Sequence, residues 1–513
     1  MGTRVRAPVK RPRRGCKETA VGWNRFRLKT MNRRKFLSRA TSVVAAAIAQ
    51  SSFTAGLQAA SSGLEARVTV DPALTLAVVP PDFMGLGYEI SSVARRGLLS
   101  AQNAVYVQLV RTLGAEGVIR VGGNTSDYAS YDQTGQPLSS PEGKAGSVVN
   151  QAVLRDLGAF LDATGWKLIW GLNLGNGTLE NAIQEANAVA TATKKHLLGF
   201  EIGNEPDLFP LRGGHRQPGY GYDEYLREYR TWRDALRKAI PAIAFAGPDV
   251  AGATDWLAKF GSDEGKDIRL LTHHYYREGE NPTSTIKKLL HTDPKLGPIL
   301  AAMRATSGSW GLPYRICETN SFSGGGKPGV SDTLAAALWV LDFMFTLASA
   351  GCAGVNMETG VNQRGFVSSY SPIGDDEQAH YWAAPEYYGM LAFAQAGAGR
   401  MLGSTIDAGD RNVKTYATQP GRDRVVVTLI NKERSYDAMM VIVAGASASF
   451  RRGSLMRLLG PALESKSGVT LGGTAVSSAG LWKPAQVEEV SRTGEKWQVC
   501  VPAASAAIVT LYF

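Results

Sequence analysis

The chain has 513 residues, of which 44% are hydrophobic and 20% charged, with 57 glycines. It can bury a full core and is too long for one ordinary domain. Residues 1–40 hold fourteen Lys or Arg and one acid, Glu18, so the remaining chain has a net charge of −2 although the whole carries +11. A body of that charge gives no electrostatic reason to bind nucleic acid.

The basic leader contains Asn32-Arg33-Arg34-Lys35-Phe36-Leu37, then a short alanine-rich apolar run over 40–49 and small residues over 55–60. A twin arginine, Phe-Leu and a mild apolar segment resemble a bacterial twin-arginine export signal, which predicts a periplasmic or extracellular protein. A solvated basic arm is the other reading of the same residues. Met31 directly precedes the motif and is a candidate start. The apolar run is too short for a stable membrane span. Cys16 falls in the leader, and Cys317, Cys352 and Cys500 sit in or beside apolar strand-like segments, as expected of buried, inert thiols.

Arg67–Val79 reads as a strand, and residues 81–395 then alternate apolar runs with amphipathic segments. The runs are Phe83–Ile90, Val118–Gly123, Lys167–Leu174, Leu198–Gly203, Ile243–Val250, Ile268–Tyr276, Tyr314–Thr319 and Cys352–Glu358. Helix-compatible stretches between them include Asn150–Thr164, Leu179–His196, Tyr222–Ala239 and Ser331–Ala350. Eight strand-helix units predict an α/β fold of the (β/α)8 TIM-barrel type, with an open doubly wound sheet as the alternative. After residue 395 the texture turns β-rich: Val413–Ala417, Arg424–Asn431, Ala438–Val443, Trp497–Val501 and Ala506–Phe513. Residues 396–513 predict an antiparallel β-sandwich that residues 61–80 join with one strand.

Active sites of such barrels lie at the carboxyl ends of the strands. Those ends carry Glu89; Arg120, Asn124 and Asp127; Asn173; Asn204-Glu205; Asp249; His273-His274-Tyr275-Tyr276; Glu318; and Asn356 with Glu358. Glu205 follows strand four and Glu318 ends strand seven, so both face one central point across the rim. Paired carboxylates flanking a sugar hydrolyse glycosides, and a gap of about 5–5.5 Å makes one of them a nucleophile. Arg120 and Tyr275 are candidate donors that keep Glu318 ionised, leaving Glu205 as the general acid. Glu201, inside strand four, reads as a paired structural group and Asp207 as a brace for the following loop. The adjacent His273-His274 pair lacks the spacing of a metal site, so no metal or other cofactor is expected. No nucleophile elbow and no phosphate loop occur.

The stretches IRVGGNTSD (119–127), GFEIGNEPDLF (199–209), THHYY (272–276), ICETNSFSGGGKPGVSDTLAAALWVLD (316–342) and SYSPIG (369–374) resemble glycoside hydrolase family 79. That family holds the bacterial β-glucuronidases and heparanase. The resemblance implies Glu205 as acid/base, Glu318 as nucleophile and Asn204 on the sugar 2-hydroxyl. It also implies Tyr275 beside the nucleophile, Glu89 on the far hydroxyls, and Tyr370 with backbone amides of glycines such as Gly365 on the uronate carboxylate. Arg120, Asn124 and His273 are supporting residues in this scheme. Relatives often carry a tyrosine five positions after the nucleophile. This chain has Ser323 there, beside Phe322, so either Phe322 fills the space or a wall of the sugar pocket is open.

The expected function is therefore an exported, retaining exo-β-glucuronidase acting on terminal glucuronic or 4-O-methyl-glucuronic acid, with a carbohydrate β-glucuronide as its partner. An endo-acting, heparanase-like enzyme and a carbohydrate-binding protein on a hydrolase fold are the alternatives. The sequence carries no signal for an oligomeric state.

Overall fold

The computed structural model of the chain describes residues 64–134, 146–211, 214–363, 366, 368–444 and 450–513. The export motif around Arg33-Arg34, Cys16 and Gly365 lie outside the described residues. No described helix is long and apolar enough to cross a membrane.

Eight parallel strands close into a barrel: Met84–Glu89, Val118–Gly122, Lys167–Leu172, Leu197–Ile202, Phe245–Val250, Leu270–Tyr276, Tyr314–Asn320 and Gly354–Glu358. Each pairs with the next, and the eighth closes on the first through Val355↔Met84 and Met357↔Leu86. The closure rules out an open doubly wound sheet. Strands such as Val118–Gly122 and Tyr314–Asn320 are buried along their whole length, because side chains fill the barrel on one face and helices cover the other.

The helices begin and end where their sequence dictates. Asn150 accepts hydrogen bonds from the Ala152 and Val153 amides and so starts Gln151–Thr164, and Gly165 closes it with a left-handed φ of 80°. Thr178 caps Leu179–Thr193 in the same way. Helix Leu334–Ser349 is buried on all sides over Leu334–Leu341. It touches the eighth barrel strand on one side and strand Leu64–Val79 on another, which explains why those eight residues are all apolar.

The C-terminal strands form an 11-stranded sheet in which Leu64–Val79 lies between Gly399–Asp407, antiparallel, and Ala438–Ala444, parallel. Residues of Arg424–Asn431 alternate between two cores. Val425, Val427 and Leu429 join Ala66 and Val68 in the sheet's own core, whereas Val426 and Ile430 pack toward the barrel with Leu391 and Phe393. The sheet thus braces the barrel through helices Leu334–Ser349 and Pro385–Ala396.

Candidate active site

Arg120, on the second barrel strand, is fully buried with its guanidinium inside the barrel. A Cβ on Gly122 would lie 2.6 Å from its Cζ, so only glycine leaves room for the guanidinium there. Its Nε donates to Glu201 Oε2 at 2.9 Å, Nη1 to Glu318 Oε2 at 2.7 Å, and Nη2 to Asn204 Oδ1 at 2.8 Å and Asp249 Oδ2 at 2.6 Å. Burial opposes its charge, but Asp249, Glu201 and Glu318 outweigh that and hold the guanidinium firmly protonated. One arginine therefore aligns the nucleophile candidate, the residue before the acid candidate, and two structural carboxylates. Glu201 is the paired group its position inside the strand suggested.

Glu318, at the end of strand seven, also accepts from the Tyr276 hydroxyl at 3.0 Å on Oε1. Burial would raise its pKa; His274 and Arg120, helped by the Tyr276 hydrogen bond, more than reverse this, and the carboxyl is held below its usual range. Glu205 faces it across His274. His274 Nδ1 lies 3.1 Å from Glu205 Oε1 and 3.8 Å from Glu318 Oε2, and Nε2 lies 2.7 Å from Asp249 Oδ1. Burial disfavours the imidazolium, but Asp249 and Glu318 outweigh it and raise the pKa of His274. Glu205 adopts a left-handed φ of 51° and Asp249 one of 61°, an unfavourable conformation for a side chain of this type. The Glu205 amide donates to Asp249 O at 2.9 Å, and the turn continues through Pro206–Leu208.

The sixth strand corrects two sequence expectations. Thr272, His274 and Tyr276 point into the barrel, whereas His273 and Tyr275 point outward, because side chains alternate along a strand. Tyr275 donates to Asp293 Oδ2 at 2.7 Å and stacks on Phe343 of a surrounding helix, so it does not reach Glu318; Tyr276 does. His273 is buried, its Nδ1 hydrogen-bonded to the His274 carbonyl, and burial lowers its pKa to about 4. The supporting histidine is His274. The doublets His-His and Tyr-Tyr hide this register, and Thr272, whose Oγ1 accepts from the Asp249 amide, is the inward residue that fixes it.

Other expected residues sort clearly. Asn204 is fixed through its carbonyl by Arg120, and its Nδ2 lies 3.4 Å from Asn124 Oδ1. Glu89 lines the pocket and accepts from the Asn124 amide at 3.1 Å, the Thr125 amide at 2.7 Å and Thr125 Oγ1 at 2.6 Å. Tyr370 lines the pocket with its ring stacked on Tyr276 at 6.3 Å. Asn356 is not at the rim. It accepts from Arg315 Nε and donates to the Val118 carbonyl, deep in the barrel. Asn173 holds the amides of Asn176 and Gly177 in a turn. Asp207 braces the amides of 251–253 after strand five, not its own loop.

These groups meet in a pocket of about 860 Å³, whose walls include Glu89, Glu205, Tyr276, Glu318, Glu358 and Tyr370. Phe322 is buried in the core and does not enter it, whereas Ser323 and Phe366 line the wall. Donor atoms of Glu205, His274 and Glu318 all lie within 4.8 Å of one another, close enough to ligate an ion. The set already carries its own cations: both His274 nitrogens face carboxylates, and Arg120 neutralises Glu318.

No family model matches the chain. A β-glucuronidase of Aspergillus niger is 30% identical over 373 residues, covering 65% of this chain and 67% of that protein. A β-glucuronidase of Neurospora crassa is 29% identical over 327 residues, covering 56% of this chain and 57% of that protein. The crystal structure of a 4-O-α-L-rhamnosyl-β-D-glucuronidase from Fusarium oxysporum shares the fold with a TM-score of 0.69 at 20% identity, over 86% of this chain and all of that one.

Proposed function

The chain belongs to glycoside hydrolase family 79, and from that premise we propose that it is a retaining exo-β-glucuronidase working by double displacement. The observation that carries the reading is the paired Glu205 and Glu318, with carboxyl oxygens within 4.8 Å of each other and His274 beside both. Oxygens that close suit direct attack by one carboxylate on a sugar held between them. Glu318, ionised and aligned by Arg120 and Tyr276, attacks the anomeric carbon as the glycosidic C–O bond breaks and Glu205 gives its proton to the leaving oxygen. Glu205 then takes a proton from water, whose oxygen displaces Glu318 and releases glucuronate with its β configuration.

The uronate preference is supported by the two β-glucuronidase relatives and by Tyr370, whose hydroxyl can donate to a sugar carboxylate. The exo mode is supported by charge. The chain after residue 40 has a net charge of −2, whereas a cleft following a polyanionic chain calls for cations on both sides of the cut. A purely binding protein has no use for two opposed carboxylates on an imidazole. Export by the twin-arginine route is part of the proposal and is supported by Arg33-Arg34 with Phe36-Leu37.

The test is hydrolysis of an aryl β-glucuronide followed by NMR. The first sugar released should be the β anomer, and Glu318→Gln should abolish turnover while azide rescues Glu318→Gly. An α first product would overturn the retaining mechanism. Release of internal fragments from a heparan chain would overturn the exo mode.

A further inference from the structure

Among the described residues four carboxyl groups line the pocket, and three are matched by donors: Glu89 by the 124–125 turn, Glu318 by Arg120 and Tyr276, and Glu205 by His274. Glu358, at the end of the eighth strand, is the exception. It is 3% exposed and lines the pocket, yet neither of its oxygens has a hydrogen-bond partner among the described residues. This is not a misplaced surface group. The carboxyl lies over Gly87, where a Cβ would come within 2.6 Å of Oε2, so the first strand is shaped to receive it. Asn320 Nδ2 donates to the main-chain carbonyls of both Glu358 and Tyr370, at 3.1 and 3.0 Å, and so sets these two residues side by side.

A buried carboxylate without a donor is costly, whereas the neutral acid is much less so. The groups acting on Glu358 favour the neutral form. Burial comes first, then the charges of Glu318 and Glu89; Arg120 and His274 pull the other way and do not prevail, and the pKa lies well above the usual carboxylate range. Tyr88, Tyr276 and Tyr370 lie close enough for the Glu358 charge to raise their own pKa values, and each is neutral at ordinary pH. A neutral carboxyl has an O–H to give, and unlike a carboxylate it does not repel an anion.

We propose that Glu358 is a specificity-determining residue that, as an uncharged carboxylic acid, donates a hydrogen bond to the carboxylate of the sugar beside Tyr370. This rests on the uronate reading above and explains how a pocket with so many acids can accept a sugar that is itself anionic.

The test compares D-glucuronate with its uncharged analogue D-glucuronamide as competitive inhibitors at pH 5, in the wild type and in variants. Glu358→Leu, which has no donor, should raise the glucuronate Ki by about tenfold or more relative to the glucuronamide Ki, as expected for loss of a hydrogen bond to a charged group. Glu358→Gln, which keeps an N–H donor and carries no charge, should stay near the wild-type ratio. Gly87→Ala, which pushes the carboxyl aside, should weaken glucuronate more than glucuronamide. A Glu358→Leu ratio unchanged from the wild type, or lowered as removal of a repelling charge would lower it, would overturn the proposal. Should Glu358→Leu fail to fold, Gly87→Ala carries the decision, and equal weakening of both inhibitors, or of neither, would overturn it. Should the wild type cleave an aryl glucoside and ignore both the aryl glucuronide and glucuronate, the uronate reading itself falls and takes this proposal with it. Glucuronide turnover with an unchanged ratio in Glu358→Leu sinks only the role of Glu358.

Discussion

His274 stands between Glu205 and Asp249, its Nδ1 3.1 Å from Glu205 Oε1 and its Nε2 2.7 Å from Asp249 Oδ1. The imidazole links the acid candidate to a buried carboxylate while its charge also favours ionised Glu318. Replacing it by alanine removes that positive charge, so the Glu318 pKa should rise and the acid limb of the kcat/KM profile should move to higher pH. We expect kcat/KM on an aryl glucuronide to fall by about 10²–10⁴, the usual reach of acid–base assistance. A pH profile of His274→Ala checks both statements, and an unmoved acid limb would refute the electrostatic role.

Tyr276 and Tyr275 are neighbours with opposite destinations. Tyr276→Phe removes the 3.0 Å hydrogen bond to Glu318 Oε1 and should cost about tenfold or more in kcat/KM, since a bond to an ionised group contributes about 1.5–3 kcal/mol. Tyr275→Phe breaks only the bond to Asp293 on the helical side. It should leave kcat/KM within about twofold and instead lower the unfolding midpoint. Steady-state kinetics and thermal melts of the two variants, read together, separate the roles; the reverse assignment would contradict the strand register.

This pair also shows what the sequence reveals and what it hides. The barrel was legible because eight apolar runs recur at the spacing of strand-helix units, and Glu205 and Glu318 stood out as acids closing two of them. Arg120 was legible as a rim cation, though not as the hub of four side chains, because contacts between strands far apart in the chain leave no local pattern. Which of His273 and His274, or of Tyr275 and Tyr276, faces inward depends on a register that like-paired residues cannot reveal. Strand Gly399–Asp407 was missed for a related reason. Its two glycines and few β-branched residues give weak local preference, and its place beside Leu64–Val79 is fixed by pairing.

Burial of Glu185 makes stability depend on pH. This carboxyl lies behind the third barrel strand, where Oε1 accepts from Trp170 Nε1 at 3.0 Å, and burial, opposed by that hydrogen bond, raises its pKa to about 7. Because the folded value lies above the unfolded one, its stabilising contribution is complete below the unfolded pKa, near 4.5, and is lost as pH rises toward 7. The loss amounts to roughly 3 kcal/mol. Glu185→Gln keeps an acceptor for Trp170 and removes the titration. Urea unfolding at pH 5 and pH 7.5 should therefore show a smaller drop for the variant than for the wild type, and equal drops would count against a neutral Glu185.

Lys432 ties the C-terminal sheet to the barrel. Its ammonium pairs with Asp342 of helix Leu334–Ser349 and donates to the Leu290 carbonyl at 3.0 Å, while the Tyr416 hydroxyl donates to the other Asp342 oxygen at 2.6 Å. Lys432→Met removes the cation and leaves Asp342 charged in a largely buried place, which should cost about 3–5 kcal/mol. Adding Asp342→Leu takes away the stranded charge, and an apolar pair of similar size is often no worse than the ion pair it replaces. The double variant should accordingly recover most of the loss in urea unfolding. A double variant no more stable than Lys432→Met would mean that Asp342 is held mainly through Tyr416 and the helix, and that the ion pair does not join the two parts.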